Sequence, residues 1–426
     1  MVEVSRRTFM GGAAGAAAAA GLLANLPAGA ATPRRGPSRA SLDDVRHVVV
    51  LMQENRSFDH YYGTMRGVRG FADRAALRGV IRQPDLLRLD GGYLLPFRVD
   101  TSKVDGQDLG DLAHDWDTTH LAWHGGRYNQ WILAKSEMTM SYFDTGDIPF
   151  HRALASAFTI CDHYFCSIQG PTTPNRLYHW TGTIDPDGVA GGPATYNPSD
   201  YQPVYSWTTY PERLQSAGIS WQVYANDEVG DGSDGFVGDY GDNPLWLFQA
   251  YHDALASTDP SVRQLAERAS LRTAWKPDSG LGKNVDHVIA QFAADCAAGT
   301  LPAVSWVVAP YGYSEHPAAR PVDGEAYVQG VLNAVWGNPE LAASTVVLIN
   351  YDENDGFYDH VPPPFAPDGT AHEMLPAVQP LTNGLPPPFG PPTSIGLGPR
   401  VPMTVVSPWS RGGWVNSQVF DHTSVL

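Results

Sequence analysis

His47-Val-Val-Val-Leu-Met-Gln53 runs straight into Glu54-Asn55-Arg56-Ser57-Phe58-Asp59. Val346-Val-Leu-Ile-Asn-Tyr351 runs just as directly into Asp352-Glu353-Asn354-Asp355-Gly356. Near-continuous Val, Ile and Leu runs read as strands buried on both faces of a parallel sheet. In open α/β sheets the ligand lies beyond the carboxyl ends of such strands. The two runs therefore set Glu54, Asn55, Asp352 and Glu353 where their oxygens can hold a cation beside a substrate. Hard oxygen donors suit Ca²⁺, Mg²⁺ or Mn²⁺, and Zn²⁺ also accepts carboxylates. Either pair alone reads more readily as a solvated turn or a helix cap. Their recurrence after two buried strands is what favours a divalent metal ion.

Outward from these runs, strand-like segments recur at 45–53, 157–165, 220–225, 303–309, 345–351 and 401–406. Helix-like segments lie at 148–156, 174–183, 210–217, 284–298 and 325–337. Strands alternating with helices predict an α/β fold, a central and mostly parallel sheet flanked by helices. The intervals 184–206, 226–244 and 360–399 are rich in Gly, Pro and Asp. They are longer than plain connections and read as rims or lids.

Composition narrows the function classes. The chain has 426 residues, 43% apolar and 17% charged, and a net charge of −17. Phosphate backbones need basic stripes, so nucleic acid is excluded as a partner. Strongly anionic membranes are disfavoured for the same reason, which leaves zwitterionic membrane or micelle surfaces. Residues 1–40 read as a leader and linker. Ser5-Arg6-Arg7-Thr8-Phe9-Met10 is a twin-arginine pattern, followed by the apolar stretch Gly11 to Leu23 and by Ala28-Gly29-Ala30. Such a leader predicts export of an already folded protein by the Tat machinery, to the cell envelope or beyond. Three cysteines make no disulfide framework. Cys161 and Cys166 are close enough in sequence to pair, but free buried thiols are the preferred reading.

The remaining chemistry sits in loops. Gln169-Gly170-Pro171-Thr172-Thr173-Pro174-Asn175-Arg176 predicts a helix starting near Pro174 with Thr173 as its cap. Free N–H groups at a helix start attract phosphate oxygens. Thr172 then stands beside an anion site, as a second capping hydroxyl or, if a metal or base activates it, as a nucleophile. His114, His316, His360 and His422 lie in loops, three of them preceded by an acidic residue. Several together can protonate a leaving alkoxide or bind phosphoryl oxygens. Trp116, Trp123, Tyr128 and Trp131 crowd one span, as a cage for a quaternary ammonium or, more simply, as packing.

These motifs resemble one family. Glu54-Asn-Arg-Ser-Phe-Asp-His-Tyr-Tyr-Gly63, Gly170-Pro-Thr-Thr-Pro-Asn-Arg-Leu-Tyr178, Ser314-Glu-His-Pro317, Asp352-Glu-Asn-Asp-Gly-Phe-Tyr-Asp-His-Val361 and Arg400-Val-Pro-Met-Thr-Val-Val-Ser-Pro408 occur in order. The chain is similar to the bacterial phospholipase C and acid phosphatase family, and most of all to actinobacterial phospholipases C. The resemblance implies an alkaline-phosphatase-like fold over a catalytic domain at 41–426. It implies Glu54, Asn55, Asp352 and Glu353 as metal ligands and Thr172 as nucleophile. It implies His316 and His114 as phosphate-contacting or proton-transferring residues. Asn175, Arg176, His360 and Trp116 are the expected substrate-binding residues, and Asp355 adds a charge beside the ion. The domain is expected to lack the family's C-terminal helix.

The function expected from this resemblance is that of a secreted, metal-dependent phospholipase C. It would split phosphatidylcholine-type phospholipids into diacylglycerol and phosphocholine through a phosphothreonine. The alternatives are an acid phosphatase acting on soluble phosphomonoesters and a truncated, inactive secreted relative.

Overall fold

The computed structural model describes residues 41–426 except 86–87, 89–90, 199–201, 226–234, 239–240, 272–282 and 376–392. The leader at 1–40 and parts of the expected rim loops lie outside the described residues.

Seven strands form the central sheet. They are β1 (His47–Gln53), β2 (Thr159–Cys161), β3 (Trp221–Tyr224), β4 (Val304–Val308), β5 (Thr345–Tyr351), β6 (Met403–Val406) and β7 (Val415–Asn416). Their order across the sheet is β7-β2-β6-β5-β1-β4-β3. Every pairing is parallel except those of β6, which runs against both β5 and β2. This is the α/β architecture expected from the sequence, and each expected strand run contains one of its strands. The β7 strand is only two residues long, too short to leave a pattern.

β1 lies in the middle, and its side chains alternate between two apolar layers. Val49 and Leu51 face Phe292, Tyr327, Val328 and Leu332. Val50 faces the opposite layer, which holds Leu177, Trp180, Trp221 and Trp306. Helices cover both faces: Pro321–Trp336 and Ala290–Ala298 belong to the first layer, Thr172–Thr181 and Gln249–Ala256 to the second. Two faces covered by helices are what a buried parallel sheet requires.

Several helices depart from expectation. The 284–298 segment breaks into Val285–Val288 and Ala290–Ala298. Trp116–Trp123, Gln249–Ala256 and Pro260–Arg268 are helices beyond the expected segments. All three cysteines are free and buried. No helix among the described residues is long and apolar enough to cross a membrane.

Candidate functional site

Glu54 and Asn55 follow the last residue of β1, and Asp352 and Glu353 follow the last residue of β5. Gln53 and Tyr351 are register partners, so the two pairs leave the sheet side by side. All four side chains are buried. Asn55 takes φ 59°, in the left-handed region that asparagine tolerates better than most residues. Strand alternation ends there, which frees neighbouring side chains to face one place.

Hydrogen bonds knit the strand ends together. The Asn55 and Glu353 N–H groups both donate to Asp352 Oδ1, at 3.0 and 2.7 Å. Asn55 Nδ2 donates to Asp355 Oδ1 at 3.0 Å. Yet Glu54 Oε2, Asn55 Oδ1 and Glu353 Oε1 are buried and accept no hydrogen bond. Buried polar atoms are almost always paired, so three orphaned oxygens need an explanation. The donor set fits a hard or borderline divalent ion, although the ligand atoms of Glu54, Asp352 and Glu353 do not converge as those of His114, His316 and Asp355 do.

The electrostatics point the same way. Burial, only partly offset by Arg176, raises Asp352 to about 6. Burial lifts Glu353 well above the usual carboxylate range; His114 opposes the rise, and Asp352 and Asp355 add to it. Packing this much negative charge out of water is costly without a counter-charge.

Part of that counter-charge is Arg176. Its Nε lies 3.3 Å from Asp352 Oδ2, and its Nη2 lies 3.4 Å from Glu54 Oε1 and 3.2 Å from Asp242 Oδ2. Asp242 is a site residue that the sequence reading missed. It is buried and shares Arg176 Nη2 with Glu54. Burial drives Asp242 far above its usual range, while Glu54 is kept below its own despite burial. No local pattern marks Asp242, because it lies in a Gly/Asp-rich loop among many similar aspartates.

Thr172 is the first residue of the helix Thr172–Thr181. The expected start at Pro174 with a Thr173 cap is corrected: Pro171 is the cap residue, and Pro174 sits in the first turn. Proline is tolerated there because first-turn N–H groups have no intrahelical acceptor. Residues four apart share a helix face, about 6 Å between Cβ atoms. Arg176 touches Glu54 and Asp352, so Thr172 lies one turn back along the face directed at those carboxylates. Thr172 is half-buried, while residues 173–177 are buried.

His114 and His316 meet at the same end of the sheet. Their ring centroids are 6.1 Å apart, and His114 Nδ1 lies 3.3 Å from Asp355 Oδ1. Burial works against the imidazolium of His114, but Glu353 and Asp355 prevail and raise it to about 10. Glu315, next to His316, takes φ 72° and is fully buried. It accepts hydrogen bonds from Tyr61, Tyr351 and Gln53 and lies 2.8 Å from His151 Nε2, which anchors the turn that presents His316.

Behind the site stands His422. Its Nε2 donates to the Asp352 carbonyl at 2.6 Å, and its Nδ1 accepts from the Tyr164 hydroxyl at 3.0 Å. Asp421 accepts from Ser167 Oγ at 3.0 Å. A stretch near the chain's last residues thus braces the metal-type loop.

Four expected substrate-binding residues are placed otherwise. Asn175 is fully buried. Its Oδ1 accepts from the Ser167 and Ile168 N–H groups, and its Nδ2 donates to the Gly170 and Pro171 carbonyls. It shapes the loop before Thr172. Arg176 reaches the site but is committed to carboxylates. His360 is buried against Asp59, 2.6 Å from Nδ1 to Oδ2, in a network with Arg400 and Asp359. Trp116 is 6% exposed and packs in the core with Ile168 and Leu177, its ring over His120. Tyr128 and Trp131 pack on each other and on Tyr358. The aromatic span is core, not cage.

Comparison with known proteins agrees with the motif order. The model of the phosphoesterase family matches residues 45–426. A non-hemolytic phospholipase C of Pseudomonas aeruginosa is 45% identical, covering 100% of this chain and 60% of its own length. One from Burkholderia pseudomallei is 44% identical over 100% of this chain and 61% of its own. Phospholipase C A of Mycobacterium tuberculosis is 38% identical over 100% of this chain and 80% of its own. The chain therefore spans about 60% of the length of the first two relatives.

Proposed function

The chain belongs to the phosphoesterase family, and on that premise we propose that it is a metal-dependent phospholipase C. It hydrolyses phosphatidylcholine-type lipids to diacylglycerol and phosphocholine. The observation that carries this reading is the link from Arg176 to Glu54 and Asp352. Thr172 lies one helical turn before Arg176, which supports a position near the buried oxygen group.

Glu54, Asn55, Asp352 and Glu353 would hold the ion. When bound, it supplies positive charge that lowers the pKa of a neighbouring hydroxyl and neutralises phosphoryl oxygens. Thr172 Oγ attacks phosphorus and gives its proton to solvent, the bond from phosphorus to the glycerol oxygen breaks, that oxygen takes a proton to become the diacylglycerol hydroxyl, and a phosphothreonine forms. Water then attacks phosphorus and releases phosphocholine and Thr172. Arg176 keeps the carboxylates charged and aligned. The corner formed by His114 and His316 is assigned to the departing glycerol oxygen, where it would meet the developing negative charge. Asn175 and Glu315 hold Thr172 and His316 through the backbone.

The twin-arginine leader supports export to the cell envelope or beyond. The names of the relatives support a phospholipid substrate rather than a soluble monoester. A side-by-side assay with phosphatidylcholine and an aryl phosphate tests this, with and without chelation. Diacylglycerol release that stops on chelation is expected. Hydrolysis of the aryl phosphate alone would make the protein a phosphatase.

A further inference from the structure

We propose that His114, His316 and Asp355 form a second cation site, for a borderline ion of the Zn²⁺ type. The ligand atoms of these three residues all lie within 4.8 Å of one another, a convergence that Glu54, Asp352 and Glu353 do not show. The three come from separate places: the loop before the helix Trp116–Trp123, the turn after β4 and the loop after β5. Two imidazoles and one carboxylate are a nitrogen-rich set, unlike the all-oxygen group beside it, and they suit Zn²⁺ better than Ca²⁺ or Mg²⁺. Three protein ligands leave a coordination position open, the usual form of a catalytic rather than structural site.

A second observation points into the same spot. Glu353 Oε1 is buried, accepts no hydrogen bond and lies 3.8 Å from His114 Nε2. The other ring nitrogen of His114 is 2.8 Å from the Leu112 carbonyl. That nitrogen, Nδ1, also lies 3.3 Å from Asp355 Oδ1, and a ring N–H given to a carbonyl fixes the orientation of a metal-ligating histidine. The corner is also held rigid. Leu112 N–H donates to Asp355 Oδ2 at 2.9 Å, and the buried Lys135 ammonium donates to the Ala113 carbonyl at 2.5 Å. Asp111, on the exposed side, places Oδ1 3.1 Å from His316 Nδ1 and adds negative charge. Asn55 Nδ2 bonds to Asp355 Oδ1, so the two sites adjoin.

The use of this site rests on the hydrolase reading above; its existence does not. Adjacent ions are a recurrent way to stabilise both attacking and departing oxygens in phosphoester chemistry. Here the departing side would be served by a cation rather than by a proton on His316.

The test is metal stoichiometry. The full chain is stripped with chelator and titrated with Zn²⁺, and in parallel with Co²⁺, whose visible absorption reports nitrogen ligation. The expected result is about two ions per chain, as in two-metal centres. His316→Ala should lose one ion together with the Co²⁺ band, and Glu54→Gln should lose the other ion and keep the band. One ion per wild-type chain overturns the proposal, as does His316→Ala with unchanged stoichiometry. Circular dichroism checks folding, and His114→Ala replaces the first variant if that one does not fold. Lipid hydrolysis is read on the same samples. Two ions without hydrolysis would defeat the hydrolase reading alone, and hydrolysis with one ion would defeat the second site alone.

Discussion

Two buried charge clusters flank the carboxyl ends of the central strands, and they differ in one respect. Around Arg400 every oxygen of Asp59 and Asp359 is answered, and Asp162 Oδ1 is left without a partner. Asp359 pairs with Nε and Nη2 at 2.9 Å each, Asp59 Oδ1 accepts from Nη2 at 3.1 Å, and Asp59 Oδ2 accepts from His360. Around Arg176 the carboxylates outnumber the cation, and Glu54 Oε2 and Glu353 Oε1 go unanswered. Both clusters arise from acidic motifs after Val-rich runs. In the Arg176 cluster the unmet oxygens sit beside an excess of negative charge, a need that a cation can fill. Charge balance separates architecture from chemistry here, where sequence motif does not.

The contrast breaks first at Thr172. Thr172→Ala should lower kcat by roughly three orders of magnitude or more, as for other covalent nucleophiles. Its urea unfolding midpoint should stay near that of the wild type. Turnover close to wild type would end the nucleophile assignment. Arg400→Met should do the opposite. It leaves Asp59 and Asp359 buried without their cation, and removing one partner of a buried pair costs about 3–5 kcal/mol. Urea denaturation measures this, and an unshifted midpoint would erase the distinction between the clusters.

A smaller effect concerns pH. Asp352 is raised to about 6 in the folded chain, chiefly by burial, against an ordinary carboxylate value in the unfolded chain. Between those values the folded state binds more protons, so metal-free stability should fall as pH rises through them. A divalent ion favours the ionised carboxylates. It should therefore raise the thermal midpoint more above pH 6 than at pH 5, and an equal gain at both would detach the ion from Asp352. The smallest change belongs to Trp116→Phe. It should leave KM for phosphatidylcholine within about twofold of wild type, the signature of no lost substrate binding. A larger rise would return Trp116 to the substrate.

The strands were legible because a buried parallel strand leaves a plain apolar run, as at Val48–Leu51 and Val346–Ile349. The strand-end ligands were legible because the chain must leave the sheet immediately after those runs. The Gln249–Ala256 and Pro260–Arg268 helices were not, since short helices with few fully buried positions give weak periodicity. Asp242 was illegible because it is positioned by a loop and by Arg176, partners far away in sequence. His360 and Asn175 stand inside the recognisable motifs, but sequence gives no sign that their polar atoms are already spent on Asp59 and on the 167–171 loop. The meeting of His114, His316 and Asp355 depends on three loops converging, which no local spacing encodes.

The brace from His422 to the Asp352 carbonyl has a consequence for biosynthesis. Glu54 leaves the ribosome long before His422, so a nascent chain cannot finish this corner until residue 422 has emerged. The long loop closed by that contact defers its entropic cost to the last stage of folding. A ribosome that stalls before residue 422 therefore releases a product with an unbraced centre.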